Sequence, residues 1–322
     1  MNQKEYYQTL LEALKRTDVL RRTALCDPDV GKEAIYASGQ LLASTDAAGL
    51  PFSDGQVLEE TLGCEVQLVI FGGGHIGLEL YHMGVRLGHS ITIIDDRQEY
   101  CNAERFPQAR CLCTAYEELF TAEQPWIRPY FIIATRGHAY DELCLRHTLG
   151  LPHSYIGMIG SRSKIAKTFS NLAKDGFSAE QLAGVHAPIG LDINAVTASE
   201  IALAILGQII AHYRLSKNSV RLDQQILHRQ ATGESHILAR IVAKKGSAPC
   251  EIGFQLVRFP DGSLAGTVGG GVIEAEVIRA LHQMAENTHL EDRIQRFSLD
   301  ARKAGSLGMI CGGEVEVLFQ RR

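Results

Sequence analysis

A glycine-rich stretch, Gly72-x-Gly74-x-x-Gly77, follows directly on the apolar run 66–71, and Asp95 stands eighteen residues beyond its last glycine. In a strand–loop–helix setting each part of this pattern has a use. The first glycine permits a tight turn, the second lets the backbone approach a phosphate, and the third lets helix and strand pack closely. Amides at the start of the helix would hold an anion, and Asp95 would accept hydrogen bonds from a ribose. The bland alternative is a tight strand-to-helix turn in a fold that binds no nucleotide, with His75 as a surface imidazole rather than a base.

A second group of polar residues follows later apolar runs. Ser161-Arg162-Ser163-Lys164 comes after 155–159, and Arg136 and His138 come after 130–135. In an open α/β sheet these loops fall at the carboxyl edge, where ligands bind, so Arg162 and Lys164 could clamp a phosphate, with Arg136 and His138 facing the same crevice. Asp192 could orient one of these cations or cap the turn after Pro188. The alternative for all of them is a set of solvated loop charges.

A third group lies near the carboxyl end of the sequence. Gly269-Gly270-Gly271 is placed between an expected strand and an expected helix, where bare amides could face an anion, with Glu274 one turn on. Cys311 sits beside Gly312 and Gly313, which would allow close approach of a ligand.

Elements that would position these residues can be read from periodicity. Ile76, Leu80, Met83 and Leu87 fall on one helical face, Gly88 stops that helix, and residues 90–94 read as the next strand. Short apolar runs at 110–113, 130–135 and 155–159 alternate with helical patterns at 140–148 and 164–174, which predicts a parallel sheet covered on both faces. Thr197 with Glu200 forms a capping box that opens a long apolar helix ending near Tyr213. Residues 215–223 read as a linker. Beyond them, strands at 237–243, 254–259 and 264–268, a helix from Val272 and a strand at 315–319 make a small α+β domain. The expected fold class is therefore α/β: a Rossmann-like parallel sheet with helices on both faces, plus a smaller α+β domain.

Composition narrows the function. At 322 residues and 45% hydrophobic content the chain has room for two cores. With 32 basic and 37 acidic residues and no basic run, it lacks the electrostatic footprint of a nucleic-acid binder. The start is polar and the most apolar stretch, 201–211, is too short to cross a bilayer, so a soluble, cytoplasmic protein without a membrane partner is expected. Eight cysteines without a CxxC pair argue against a zinc ribbon and a disulfide framework.

Taken together, these residues resemble the XdhC/CoxI family of xanthine dehydrogenase accessory proteins. The resemblance rests on Val69-Ile-Phe-Gly-Gly-Gly-His-Ile-Gly77, Asp95-Asp-Arg97 with Glu104-Arg-Phe-Pro107, Thr135-Arg-Gly-His-Ala-Tyr-Asp141, and Tyr155-Ile-Gly-Met-Ile-Gly-Ser-Arg-Ser-Lys164. It continues through His186-Ala-Pro-Ile-Gly-Leu-Asp192, Gly246-Ser-Ala-Pro249, Gly266-Thr-Val-Gly-Gly-Gly271 with Glu274, and Gly308-Met-Ile-Cys-Gly-Gly313. It implies an N-terminal segment at 1–63, a Rossmann-like domain at 64–215 and a CoxI-type domain at 220–322, the last placed after the Rossmann domain rather than before it. Leu10 to Arg16, Gly31-Lys32 and Ser38 to Leu42 echo the opening of a CoxI-type domain, so residues 1–63 read as its reduced remnant.

By resemblance, the chain is a cofactor chaperone or insertion factor rather than a metabolic enzyme. It would hold molybdenum cofactor, keep it sulfurated and deliver it to a xanthine dehydrogenase-like molybdenum hydroxylase. Glu274 would then meet pterin NH groups, Cys311 would touch sulfur or molybdenum, a cysteine desulfurase would be a second partner, and the rearranged domain order leaves room for a homodimer. Two competing functions remain: an NAD(P)-dependent oxidoreductase, and a nucleotide-binding regulatory module.

Overall fold

The computed structural model describes residues 2–46, 56–215, 219–298 and 313–322. The chain forms two compact units, Met1–Cys64 with Ser219–Arg322 and, between them in sequence, Glu65–Asn218. The first unit begins with α1 (Gln3–Leu14), β1 (Val19–Ala24), β2 (Glu33–Ala37), β3 (Gln40–Ser44) and β4 (Val57–Leu62).

The second unit holds β5 (Gln67–Phe71), α2 (His75–Arg86), β6 (Ser90–Asp95), β7 (Arg110–Cys113), α3 (Tyr116–Leu119), β8 (Tyr130–Ile133), α4 (His138–Thr148), β9 (Tyr155–Met158), α5 (Arg162–Lys174), α6 (Ala179–Ala183) and α7 (Ala198–Leu215). Its strands are parallel in the order β7-β6-β5-β8-β9. Because both faces are covered, the strands are continuous apolar runs rather than alternating ones. Leu68 and Ile70 of β5 pack toward Leu80 of α2 and Ile205 and Ile209 of α7, whereas Val69 and Phe71 pack toward Leu145 of α4 and Ile165 of α5. Strand order reverses between β5 and β8, so their outgoing loops part at the carboxyl edge and leave the crevice characteristic of such sheets.

The first unit then resumes with β10 (Ser219–Val220), α8 (Gln224–Ala231), β11 (Ile237–Lys245), β12 (Gln255–Arg258), β13 (Leu264–Gly266), α9 (Gly271–Glu286), β14 (Arg293–Ser298) and β15 (Glu314–Arg321). Two sheets result, β10-β4-β1-β2-β3 and β14-β15-β11-β12-β13. In each, a strand preceded by a helix sits centrally, with the next two strands to one side and the last long strand to the other. Four strands of the N-terminal sheet thus repeat the order of the C-terminal one, and the outer strands differ, since β10 runs parallel to β4 whereas β14 runs antiparallel to β15. Part of the expected linker is structured, since Ser219 and Val220 pair in parallel with β4.

One face of the C-terminal sheet buries Ile237, Ala239 and Ile241 against Ile273, Val277 and Leu281 of α9. Its other face sends Arg240, fully buried, to the N-terminal sheet. There Arg240 meets Glu33 at 2.8 Å and Glu60 at 3.4 Å and donates to Thr23 Oγ1 at 2.8 Å, while Arg21 meets Glu60 at 3.0 Å. Two cations therefore balance two carboxylates inside the protein, the arrangement that buried charge requires. Burial would raise the Glu33 carboxyl, but Arg240, Arg21 and Arg322 outweigh it and hold the group down to about 2.

Candidate functional site

The glycine loop after β5 owes its residues to packing at three positions and to openness at one. A Cβ on Gly72, whose φ is +117°, would lie 2.2 Å from Ala134 O; on Gly73, 1.9 Å from Tyr100 O; on Gly77, 2.1 Å from Gly72 O. A Cβ on Gly74 would meet nothing within 4 Å. Gly74 is the N-cap of α2 and offers no side chain to it, and the first turn carries no acid. The amides of His75, Ile76 and Gly77 accordingly find no acceptor among the described residues, and the helix dipole adds positive potential there.

Asp95, at the end of β6, is not free to receive a ribose. Its Oδ2 accepts from Gly73 N at 2.9 Å and from Arg97 Nη2 at 2.9 Å, and its Oδ1 accepts from Arg97 N at 3.1 Å and Arg97 Nε at 2.9 Å. Burial would raise this carboxyl, but the Arg97 and Gly73 donors prevail and hold it below the usual carboxylate range. Asp95 therefore pins the glycine loop, with Arg97 stacked over Tyr100 at 3.8 Å. The neighbouring Asp96 differs: Oδ2 accepts from Arg136 at 2.6 Å, and Oδ1 is buried without a hydrogen bond. Spacing marks Asp95 as an acceptor but cannot show that its oxygens are already taken by Gly73 and Arg97, whereas the acid that begins the loop, Asp96, keeps one oxygen without a hydrogen bond.

Two motifs meet at Asp141, which sequence reading does not single out. Asp141, at 0% exposure, accepts from Thr135 N at 3.0 Å and Thr135 Oγ1 at 2.7 Å, and its other oxygen binds the Lys164 ammonium. Lys164 thus spends most of its ammonium within the protein, on Asp141 and Ile159 O, and keeps one N–H rather than a whole free clamp. Ser161 caps α5 by accepting from Lys164 N at 3.3 Å, and Arg162 is exposed. His138, the first residue of α4, and Arg136 are also exposed, and Arg136 leans over the Tyr140 ring. Asp192 is exposed and bonds to no described residue. The turn after Pro188, which Asp192 is expected to cap, is instead held by Gln208, which bonds Gly190 N at 2.9 Å and Gly190 O at 3.3 Å.

In the C-terminal sheet's domain, Gly269, Gly270 and Gly271 all adopt positive φ, of 109°, 76° and 64°. The loop satisfies most of its own amides. Gly269 N donates to Thr267 Oγ1 at 3.0 Å, and Glu274 Oε2 accepts from Val268 N at 3.0 Å, Gly270 N at 3.2 Å and the Thr267 hydroxyl. These donors, that of Thr267 foremost, hold the Glu274 carboxyl below its ordinary range. The expected bare cradle at Gly269 and Gly270 is therefore filled by the protein's own acid, and the open amides lie further on, at the first turn of α9. Gly313 lies against the Gly246–Pro249 loop: a Cβ there would be 2.5 Å from Ser247 O. Cys311 and Gly312 lie outside the described residues.

Among the described residues no helix is long and apolar enough to cross a membrane. Residues 68–209 match the XdhC Rossmann domain family, and residues 229–298 match the XdhC and CoxI family. The chain is 31% identical over 150 residues to an uncharacterized protein, YqeB, of Escherichia coli (strain K12), which covers 46% of this chain and 27% of that one. In Bacillus subtilis (strain 168), a protein named as a probable subunit of xanthine dehydrogenase is 27% identical over 145 residues, covering 45% of this chain and 42% of the relative. The matched stretch is less than half the length of either relative. A crystal structure described as a xanthine dehydrogenase from Bacillus halodurans aligns with a TM-score of 0.54 at 19% identity over 64% of each chain, a likeness of fold. With its Rossmann domain and its CoxI-type domain following one another along the sequence, the protein belongs to the XdhC and CoxI family.

Proposed function

We propose that this protein is an accessory factor that binds molybdenum cofactor and delivers it, in sulfurated form, to a xanthine dehydrogenase-like molybdenum hydroxylase. Family membership through both domains supports the accessory role, as does the relative named for xanthine dehydrogenase in Bacillus subtilis. The observation that carries the binding role is the mouth of α2, where three amides lack an acceptor among the described residues and Gly74 leaves room for a group to come within contact. When bound, the cofactor supplies a phosphate, a hydrogen-bonding pterin and a metal–sulfur centre. The chain's own task is to hold, shield and release it. The amides of His75, Ile76 and Gly77 suit the phosphate, and Arg136 and Arg162 add positive charge at the same edge of the sheet.

The second domain fits the cofactor less fully, since Glu274 spends one oxygen on its own loop. Cys311 is assigned the sulfur or molybdenum contact because a thiolate is a soft ligand. A cysteine desulfurase as sulfur donor, a cytoplasmic site of action and a homodimer belong to the same proposal, as does the origin of residues 1–63 as a reduced CoxI-type copy. The decisive experiment isolates the protein from cells that make the cofactor and assays molybdenum and oxidised-pterin fluorescence. Both are expected in proportion to protein; neither, together with bound NAD, would overturn the proposal.

One observation favours a second reading. Asp96 Oδ1, which accepts no hydrogen bond and lies 4.0 Å from Arg97 Nε, stands just past β6, where a nucleotide's ribose is bound in sheets of this kind, so an NAD(P)-dependent oxidoreductase or a nucleotide-binding regulatory module is the alternative. Calorimetric titration with NAD decides between them, and Asp96→Ala should abolish a ribose-dependent signal.

A further inference from the structure

The loops after β8 and β9 open α4 and α5, and between these helices lies a cleft of about 530 Å³ lined by His138, Glu142, Ser161, Ser163, Lys164 and Lys167. Lys164 stands at its inner side, with its side chain 13% exposed and its ammonium fixed by Asp141. It also donates to Ile159 O at 3.4 Å. An ammonium has three N–H donors, so one remains for the cleft. Lys167, just under one turn further along α5, is exposed and has no acceptor among the described residues. The Ser161 and Ser163 hydroxyls lie 3.1 Å apart. The acid on the rim, Glu142, is held by Arg146 at 3.1 Å and by Asn171 at 2.9 Å.

The cleft thus gathers two ammonium groups, two hydroxyls and an imidazole, while the carboxylates of Asp141 and Glu142 beside it are matched within the protein. Such a donor set suits a tetrahedral oxyanion. We propose that the α4–α5 cleft is a second anion subsite, separate from the glycine loop, that seats the phosphate of a small phosphorylated ligand on Lys167, the remaining proton of Lys164 and the two serine hydroxyls. Asp141 acts as its positioning residue, since it fixes Lys164 and, through Thr135, the loop that carries His138. The subsite does not depend on the cofactor reading.

The test follows Lys167 directly. The full-length protein is treated with an amine-acylating reagent, with and without inorganic phosphate at constant ionic strength, and modification of each lysine is read by peptide mass spectrometry. At phosphate ten times its dissociation constant, mass action should slow acylation of Lys167 roughly tenfold. Lys174, exposed on the same helix, should be unaffected, and Ser161→Ala with Ser163→Ala should weaken the protection. Equal acylation of Lys167 with and without phosphate, or equal slowing at Lys174, overturns the subsite. Because the assay needs no molybdenum cofactor, its failure leaves the cofactor proposal standing, and loss of cofactor retention with Lys167 still protected has the converse meaning.

Discussion

Replacing Arg240 by Met tests whether buried charge joins the two sheets of the first unit. In the folded protein Arg240 is fully buried between Glu33, Glu60 and Thr23, and among the described residues Arg21 supplies the other cation bonded to Glu60. Methionine fills much of the same volume but leaves Glu60 to Arg21 and Glu33 without a bonded guanidinium, with only the Coulombic pull of Arg21 and Arg322. Removing one partner of a buried ion pair costs about 3–5 kcal/mol. With a urea m-value of roughly 2 kcal/mol per molar, the midpoint should fall by about 2 M. Arg240→Met combined with Glu33→Gln restores the charge balance of Arg21 and Glu60 and should recover part of that loss, a coupling on the order of 1–3 kcal/mol.

The pH dependence has a definite sign. Glu33 is depressed in the folded state to about 2, so its contribution is full above the unfolded carboxylate range and is lost as pH falls toward 2. Without Arg240 the folded carboxyl moves back toward its unfolded value, so this acid-dependent loss should be smaller and complete at a higher pH. A midpoint shift below about 0.5 M, equivalent to about 1 kcal/mol and so the size of an ordinary exposed pair, would refute the argument.

Gly73→Ala should destabilise the second unit, because its Cβ would collide with the Tyr100 carbonyl, whereas Gly74→Ala should keep the thermal midpoint and reduce anion and cofactor binding. Binding left unchanged in Gly74→Ala would remove the α2 mouth from the proposal. Glu274→Ala should lower stability by about 1 kcal/mol near neutral pH after allowance for solvent screening, and the difference from the parent should vanish as acid protonates Glu274, whose folded carboxyl is depressed. Cys311→Ser should fold normally yet retain less sulfurated cofactor, measured as activation of a sulfur-dependent hydroxylase; full activation would release Cys311 from its role.

The parallel sheet is legible in the sequence because strands buried on both faces are written as uninterrupted apolar runs, as in residues 67–71 and 130–133. The strands of residues 19–62 are not, and the reason is physical. Their inward faces carry Arg21, Glu33 and Glu60, which by type read as surface residues, so the alternation that marks a half-buried strand is hidden. The candidate sites show the same limit. Spacing marks the glycine loop and Lys164, but it cannot tell that Asp95, Lys164 and Glu274 face internal donors or acceptors. Asp141 closes one of the quoted motifs yet is given no role, because an acid in a helix pattern usually faces water.

The discontinuous make-up of the first unit bears on how the protein is made. Chain emerging from a ribosome presents Glu33 and Glu60 early, and their counter-charge on Arg240 only after the whole intervening Rossmann domain has been synthesised. That domain is contiguous and can fold as it emerges. A nascent or truncated product ending before Arg240 keeps Arg21 beside Glu60 but leaves Glu33 without its ion-pair partner, which disfavours burying that face of the N-terminal sheet. A chain cut short before Arg240 should therefore lose its N-terminal sheet to limited proteolysis under conditions that leave the full-length protein intact.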